Sequence, residues 1–232
     1  MGKGAPLRWC EDWILRRHIH GRGIEIGALW RRFRVRNDVL VWYVDRLSPE
    51  GLREDYPEFR DIVQPDVVAD AADLPFPAGS LDFIIAGHVL EHLPLPMKAL
   101  RRWHDALAAD GTLLVRVPDK RFTFDSVRKR TTLEHLIYEE AHPDEAEARS
   151  HYADWVEHIF HAKPADGHFE SAVQELIDSR FSIHYHVWTD EDVQAMIDYT
   201  TREWKLTWRP VLFWRAHFYR KETIILMRKG SR

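Results

Sequence analysis

Apolar residues in the first half of the chain gather into short continuous runs separated by longer stretches of helical period. Residues 24–26, 39–44 (VLVWYV), 67–69, 81–86 (LDFIIA) and 112–117 read as strands, and the near-continuous runs mark strands buried on both faces of a parallel sheet. Between them the period changes. Trp9, Trp13 and Ile14 predict a helix over 8–20, stopped by Gly21 and Gly23. Ser48 or Pro49 opens a short helix. Pro96 opens another, with Met97, Leu100, Trp103 and Leu107 on one face until Asp110 and Gly111 close it. Strands alternating with helices in this rhythm predict an α/β fold with a doubly wound, Rossmann-like, seven-stranded sheet.

The rhythm breaks after Pro118. Residues 119–182 are charged, rich in histidine and helical in pattern, with helices expected over 132–140, 144–160 and 168–177. An insertion there is placed to cover the carboxyl ends of the strands, where such sheets bind ligands, so it reads as a substrate lid within a single domain of residues 1–232. Regular structure is expected to resume with 183–189, a helix over 190–201, and two final strands over 206–214 and 223–228 joined by RAHFYRKE.

The chain has 232 residues, enough for one domain with a sizeable core. Its net charge of -4 argues against a general nucleic-acid binder. Cys10 is the one cysteine, which excludes an internal disulfide and a cysteine metal cage. It is expected to pack in the first helix, and a cytoplasmic location follows from the same reasoning. No apolar run suffices to span a bilayer, the N-terminus lacks the apolar core of a signal peptide, and Pro6 stands where a myristoylation signal needs Ser or Thr.

The chemistry begins in RGIEIGALWRRF, residues 22–33. A strand runs into Gly27 as in a dinucleotide-binding turn, but the further glycines that bring a backbone against a pyrophosphate are missing. Asp45 stands twenty residues beyond Glu25, at a strand end, where an acidic side chain accepts both ribose hydroxyls. A ligand with ribose and adenine but no diphosphate suits this arrangement, and S-adenosylmethionine has that composition. An NAD-dependent dehydrogenase is disfavoured for the same reason.

GIEIGALW, VWYVDRLS, ADAADLPFPAGSLDFIIAGHVLEHL and ADGTLLVRVPD follow in order over residues 22–120. In sequence and spacing they resemble class I S-adenosylmethionine-dependent methyltransferases of the type 11 kind. The resemblance implies that Glu25, Gly27 and Ala28 border the methionine part of the cofactor. It further implies that Asp45, with Arg46 beside it, binds the ribose, that Asp70 and Ala71 contact the adenine, and that Gly87 and His88 line the exposed side. VPDKRFTFD, TTLEHLIYEE, RSHYADWV and IHYHVWT resemble a bacterial subgroup of these enzymes associated with glycan synthesis. That narrower likeness implies an O-methyltransferase acting on a saccharide, a mannoside in particular, and raises Mg²⁺ as a second cofactor. Acceptors other than a sugar, small molecules or lipid-linked compounds, remain open, as does a non-catalytic cofactor-binding subunit.

A sugar hydroxyl stays protonated at neutral pH, so its methylation gains from a general base. His184 and His186 flank Tyr185 in an extended stretch, where residues two apart share a side, and are the leading catalytic candidates. His88, just beyond the fourth strand, is a third. Glu91 and His92 read as structural parts of the VLEHL signature. Asp119, released by Pro118, is the candidate metal ligand, joined by Asp125, Glu139 or Glu140 around a hard cation. His135, His142, His151, His158, His161 and His168 match no H-E-x-x-H zinc pattern and read mostly as surface residues. The arginines at 31, 32, 34 and 36 and the basic run 128–130 read as solvated faces. The expected partners are a carbohydrate acceptor and a second copy of the chain in a homodimer, with no nucleic acid and no membrane span.

Overall fold

The computed structural model describes residues 5–143 and 145–231. Helix α1 (Ala5–His18) leads into β1 (Arg22–Ile26), followed by β2 (Leu40–Asp45), α2 (Pro49–Asp55), β3 (Val67–Val68) and β4 (Leu81–Gly87). Helix α3 (Pro96–Ala106) and β5 (Leu107–Pro118) come next, then α4 (Leu133–Ala141), α5 (Glu145–His158), α6 (Phe169–Asp178) and α7 (Asp190–Glu203). Strands β6 (Trp208–Trp214) and β7 (Glu222–Lys229) end the described chain. Cys10 lies in α1, and its side-chain packing falls outside the described part.

The seven strands stand in the order β3-β2-β1-β4-β5-β7-β6. The pairings among β1 to β5 are parallel, while β7 pairs antiparallel with both β5 and β6. This is the Rossmann-like sheet of class I methyltransferases, as expected. Strand order reverses between β1 and β4, so a crevice opens beyond their carboxyl ends.

The apolar run in β4 works because its alternate side chains enter two cores. Phe83 and Ile85 pack with Ile14 and Leu15 of α1 and with Ile19 just beyond it, whereas Ile84 and Ala86 pack with Leu100 and Trp103 of α3 and Met196 of α7. Phe83, Ile84 and Ile85 have no exposed surface, and each such burial contributes about 1.5–3 kcal/mol.

Two expectations about elements are corrected. The helix begun at Pro96 ends at Ala106 rather than near Gly111, and the strand starts at Leu107 with an irregular register against β4. Asp110 takes up the bulge with φ 62, a left-handed conformation that Asp tolerates better than most residues. Residues 183–189 form no strand. They run between irregular partners: the amides of Tyr185 and His186 both donate to the Glu91 carbonyl, while Val187 and Trp188 carbonyls accept from Thr131 and Lys120. No neighbour offers a repeating ladder, so extended backbone is as far as this segment goes.

Residues 119–182 contain α4, α5 and α6, with a small core of their own. Tyr152, Trp155 and Val156 of α5 meet Phe169, Val173 and Leu176 of α6 and Ile183 beyond them. No described helix is long and apolar enough to cross a membrane.

Candidate active site

A cavity of about 710 Å³ opens at the β1–β4 crevice. That volume lies within the usual range for small-ligand pockets. Its walls include every residue expected to hold the cofactor: Glu25, Gly27, Ala28, Asp45, Arg46, Asp70, Ala71, Gly87 and His88.

The turn after β1 is built by Glu25 and Gly27. Gly27 has φ 67, and a Cβ there would stand 3.0 Å from Val89 Cγ2, so a side chain would be strained as well as crowded. The buried Glu25 carboxylate accepts the Phe33 amide through both oxygens, at 3.0 and 3.1 Å. It therefore ties down residues 27–33, the stretch that lacks further glycines. Within this loop Trp30 stacks on Phe59 at 5.3 Å between centroids, and both Trp30 and Arg31 line the cavity.

Asp45 ends β2. Its Oδ1 accepts the Leu47 amide at 3.3 Å, and burial pushes its carboxyl above the usual range. Asp70 Oδ1 accepts the Ala72 amide at 2.7 Å, which fixes the turn that presents Asp70 and Ala71. Two carboxylates, small residues and one left-handed glycine fit an adenosine: acceptors for hydroxyl and amine groups, and backbone open to a flat base. S-adenosylmethionine fits these residues.

His88 sits just past β4 with φ 57. Its Nε2 lies 2.9 Å from Glu222 Oε1, and its Nδ1 lies 3.2 Å from Glu91 Oε1. Burial works against the imidazolium, but the bonds to Glu222 and Glu91 outweigh it and push the pKa up to about 9. Glu222 falls to about 2, because the His88 bond and the Arg116 charge outweigh its own burial. Both ring nitrogens of His88 are therefore engaged and its proton is held at neutral pH, which does not suit the role of general base.

His184 and His186 do share a side, but the other one. Tyr185 between them lines the cavity and the two imidazoles do not. His184 Nδ1 bonds Asp125 Oδ2 at 2.7 Å, and Asp125 also pairs with Arg128 at 2.9 Å. His186 is 1% exposed, its Nε2 donates to the Pro94 carbonyl at 3.0 Å, and burial lowers its pKa to about 3. This placement does not fit the catalytic role expected of the pair.

Asp119 is likewise committed. Its Oδ1 accepts the Arg121 amide and Nε, both at 2.9 Å, and its Oδ2 accepts Arg121 at 2.6 Å and the Asp190 amide at 3.2 Å. An ion-paired, capping carboxylate leaves no room for a hard cation. Asp125 and Glu139 serve other partners, Arg128 and histidines respectively, so the expected cation site does not assemble.

The wall that sequence reasoning missed comes from His92, Tyr152, Arg180, Phe181, Ser182 and Tyr185. Tyr185 donates to the Tyr152 hydroxyl at 3.0 Å, and Tyr152 donates to the Phe181 carbonyl at 3.2 Å. His92 Nδ1 stands 2.9 Å from the Ile183 carbonyl, and burial lowers its pKa to about 4. The alternation of residues 184–186 was the available signal, read on the wrong side.

Residues 38–115 match the family model described as a methyltransferase domain. No curated protein matches the chain in sequence. Among solved structures, the PH0226 protein of Pyrococcus horikoshii OT3 superimposes with a TM-score of 0.52 at 14% identity, covering 99% of this chain and 92% of that one. A putative Zn-dependent alcohol dehydrogenase of Rhodobacter sphaeroides gives 0.55 at 14% identity, over 95% and 89%. At such identity these likenesses establish the fold and not the chemistry. A CurJ carbon methyltransferase matches at a TM-score of 0.44 and 17% identity, and this chain, 90% covered, spans about half of it (48%). Residues 38–115 thus carry a match to a methyltransferase domain, set within the Rossmann-like sheet of the class I fold.

Proposed function

We propose that this chain is an S-adenosylmethionine-dependent methyltransferase that methylates a hydroxyl of a carbohydrate, with a mannoside as the first acceptor to try, and that residues 119–182 form its acceptor-binding lid. The carrying observation is the polar wall of His92, Tyr152, Arg180, Ser182 and Tyr185 in the same cavity as Gly27 and Asp45. A sugar presents several hydroxyls at once and needs donors and acceptors close together, which this wall supplies. Exposed Trp30, which lines the cavity and stacks on half-buried Phe59, offers an aromatic face beside them. The likeness of VPDKRFTFD and IHYHVWT to a bacterial subgroup associated with glycan synthesis supports the same reading. A cytoplasmic location and a homodimer belong with this proposal.

Bound S-adenosylmethionine supplies an electrophilic methyl on a sulfonium. The protein must then hold a hydroxyl oxygen about 3–3.5 Å from it, in line, which can provide roughly 7–11 kcal/mol. His92 is our choice for the base. Burial keeps it neutral, and its Nδ1 bond to the Ile183 carbonyl assigns the proton there and the lone pair to Nε2. The cation expected at Asp119 has no part in this mechanism, since Arg121 fills that carboxylate.

The test is radiolabelled methyl transfer to a panel of mannosides, other glycosides, phenols, amines and lipid-linked acceptors, with calorimetry of S-adenosylhomocysteine in parallel. Methylated glycosides are expected. Transfer confined to phenols, amines or lipids overturns the carbohydrate assignment. Cofactor binding with no transfer to any acceptor favours a non-catalytic subunit.

A further inference from the structure

His135 and Glu139 stand one turn apart on α4, His151 faces them from α5, and His186 arrives from the extended segment before α7. One ligand atom from each lies within 4.8 Å of those of the others. His135 Nε2 is 3.0 Å from Glu139 Oε1, His151 Nε2 contacts the same oxygen, and His186 Nε2 is 3.8 Å from Glu139 Oε2. The imidazole rings are spaced 5.2 to 6.3 Å apart around this carboxylate.

The group is buried. Glu139 is 3% exposed and His151 8%, and only His135 reaches solvent appreciably. Two of its buried atoms, Glu139 Oε2 and His186 Nδ1, have no hydrogen-bond partner. A buried carboxylate oxygen left without a donor costs about 1–3 kcal/mol, more when charged. Three imidazoles converging on one such carboxylate form a donor set that asks for a cation. We propose that His135, Glu139, His151 and His186 bind a single zinc ion that bolts α4, α5 and the 183–189 segment together.

The donor chemistry decides the metal class. Three imidazole nitrogens and one carboxylate oxygen suit zinc and its transition-metal neighbours, whereas Mg²⁺ and Ca²⁺ require mostly oxygen. Zinc bonds of about 2.0–2.1 Å to nitrogen and oxygen put tetrahedral ligand atoms roughly 3.3 Å apart. One ligand atom from each of the four residues already lies within 4.8 Å of the others, so ring rotations that open the direct histidine–carboxylate contacts would bring the set to that spacing. Four protein ligands leave no open position, which marks a structural rather than a catalytic ion. None of the four lines the cavity, yet Tyr152 and Tyr185, each next in sequence to a ligand, do. The ion thus holds the rear of the polar wall.

The experiment uses the untagged full chain, stripped with a chelator and titrated with ZnCl₂ by calorimetry, and separately with CoCl₂ by visible absorption. One equivalent of zinc, a higher melting temperature and the intense bands of tetrahedral cobalt are expected. His151→Ala and His186→Ala are expected to weaken uptake more than ~100-fold, while His142→Ala, exposed at the end of α4, leaves it unchanged. Wild-type chain that is folded by circular dichroism after stripping and takes up neither metal overturns the proposal. So does uptake that His151→Ala does not alter. Should the variants unfold, the wild-type stoichiometry and cobalt spectrum still decide, and neither depends on the methyl acceptor.

Discussion

His88 Nε2 and Glu222 Oε1 meet at 2.9 Å, joining the end of β4 to the start of β7, two strands away across the sheet. With Glu91 on the other nitrogen, one imidazolium is shared by two carboxylates, one of them fully buried. The sequence motif containing His88 is thereby anchored to a strand that comes 134 residues later.

That arrangement sets a pH dependence. Because the folded pKa of His88 is raised from 6.5 to about 9, its contribution to stability is complete below the unfolded value and fades as pH rises through the folded one. His88→Gln removes the cation beside buried Glu91 and is expected to cost roughly 1–3 kcal/mol, less than a fully buried pair because His88 is partly exposed. Thermal melts should show the largest gap from wild type near pH 6 and a small one near pH 10. An equal gap at both pH values would refute the assignment.

Asp45→Ala should weaken S-adenosylhomocysteine binding by about 10–150-fold, the worth of a charge-assisted hydrogen bond of ~1.5–3 kcal/mol. Burial raises the Asp45 carboxyl, so wild-type affinity should fall as acid protonates it, at a higher pH than for an exposed carboxylate. Calorimetry across pH, with Asp45→Ala as the flat reference, measures both.

Glu25→Ala takes away the acceptor of the Phe33 amide and should destabilise the chain by about 1–3 kcal/mol. Glu25→Gln keeps one acceptor oxygen and should lose less. Since the same bond closes residues 27–33, both changes should lower cofactor affinity in the same order. Denaturant midpoints and binding constants would be compared for the pair.

Tyr185→Phe and His184→Ala separate the two sides of one segment. The first removes a hydroxyl from the cavity wall without touching the core and should impair methyl transfer with little change in melting temperature. The second breaks a buried pair with Asp125 and should cost stability by about 3–5 kcal/mol. Reversal of the two patterns would put the imidazoles back in the site.

His92→Ala should reduce transfer by about 10²–10⁴-fold with S-adenosylhomocysteine binding retained, if His92 takes the proton. Activity of this variant within a few-fold of wild type would remove it from that role.

The cofactor side of the site was legible because its determinants are local. A strand end, a left-handed Gly27 and an acidic residue at the next strand end occupy fixed offsets along the chain, and Gly27, Asp45 and Asp70 stand in the cavity as expected. Trp30 had no reading until the fold brought Phe59 against it. Glu25 was expected to border the ligand and lines the cavity, but its bond to Phe33 depends on a loop whose path no periodicity reveals.

The acceptor side shows where such reading stops. Alternation correctly put His184 and His186 on one side and Tyr185 on the other, since that follows from extended backbone alone. Which side meets the cavity depends on α4 and α5, which draw the imidazoles toward Asp125 and Glu139. Asp119 was read as an open ligand because its captor, Arg121, cannot be told from a solvated arginine in one dimension, and its second donor lies on α7. Burial and local spacing are properties of the chain, and they determined the sheet and the crevice beyond its strand ends. The partners of each charged group are set by whatever long-range packing places opposite it, and only the tertiary structure decided those.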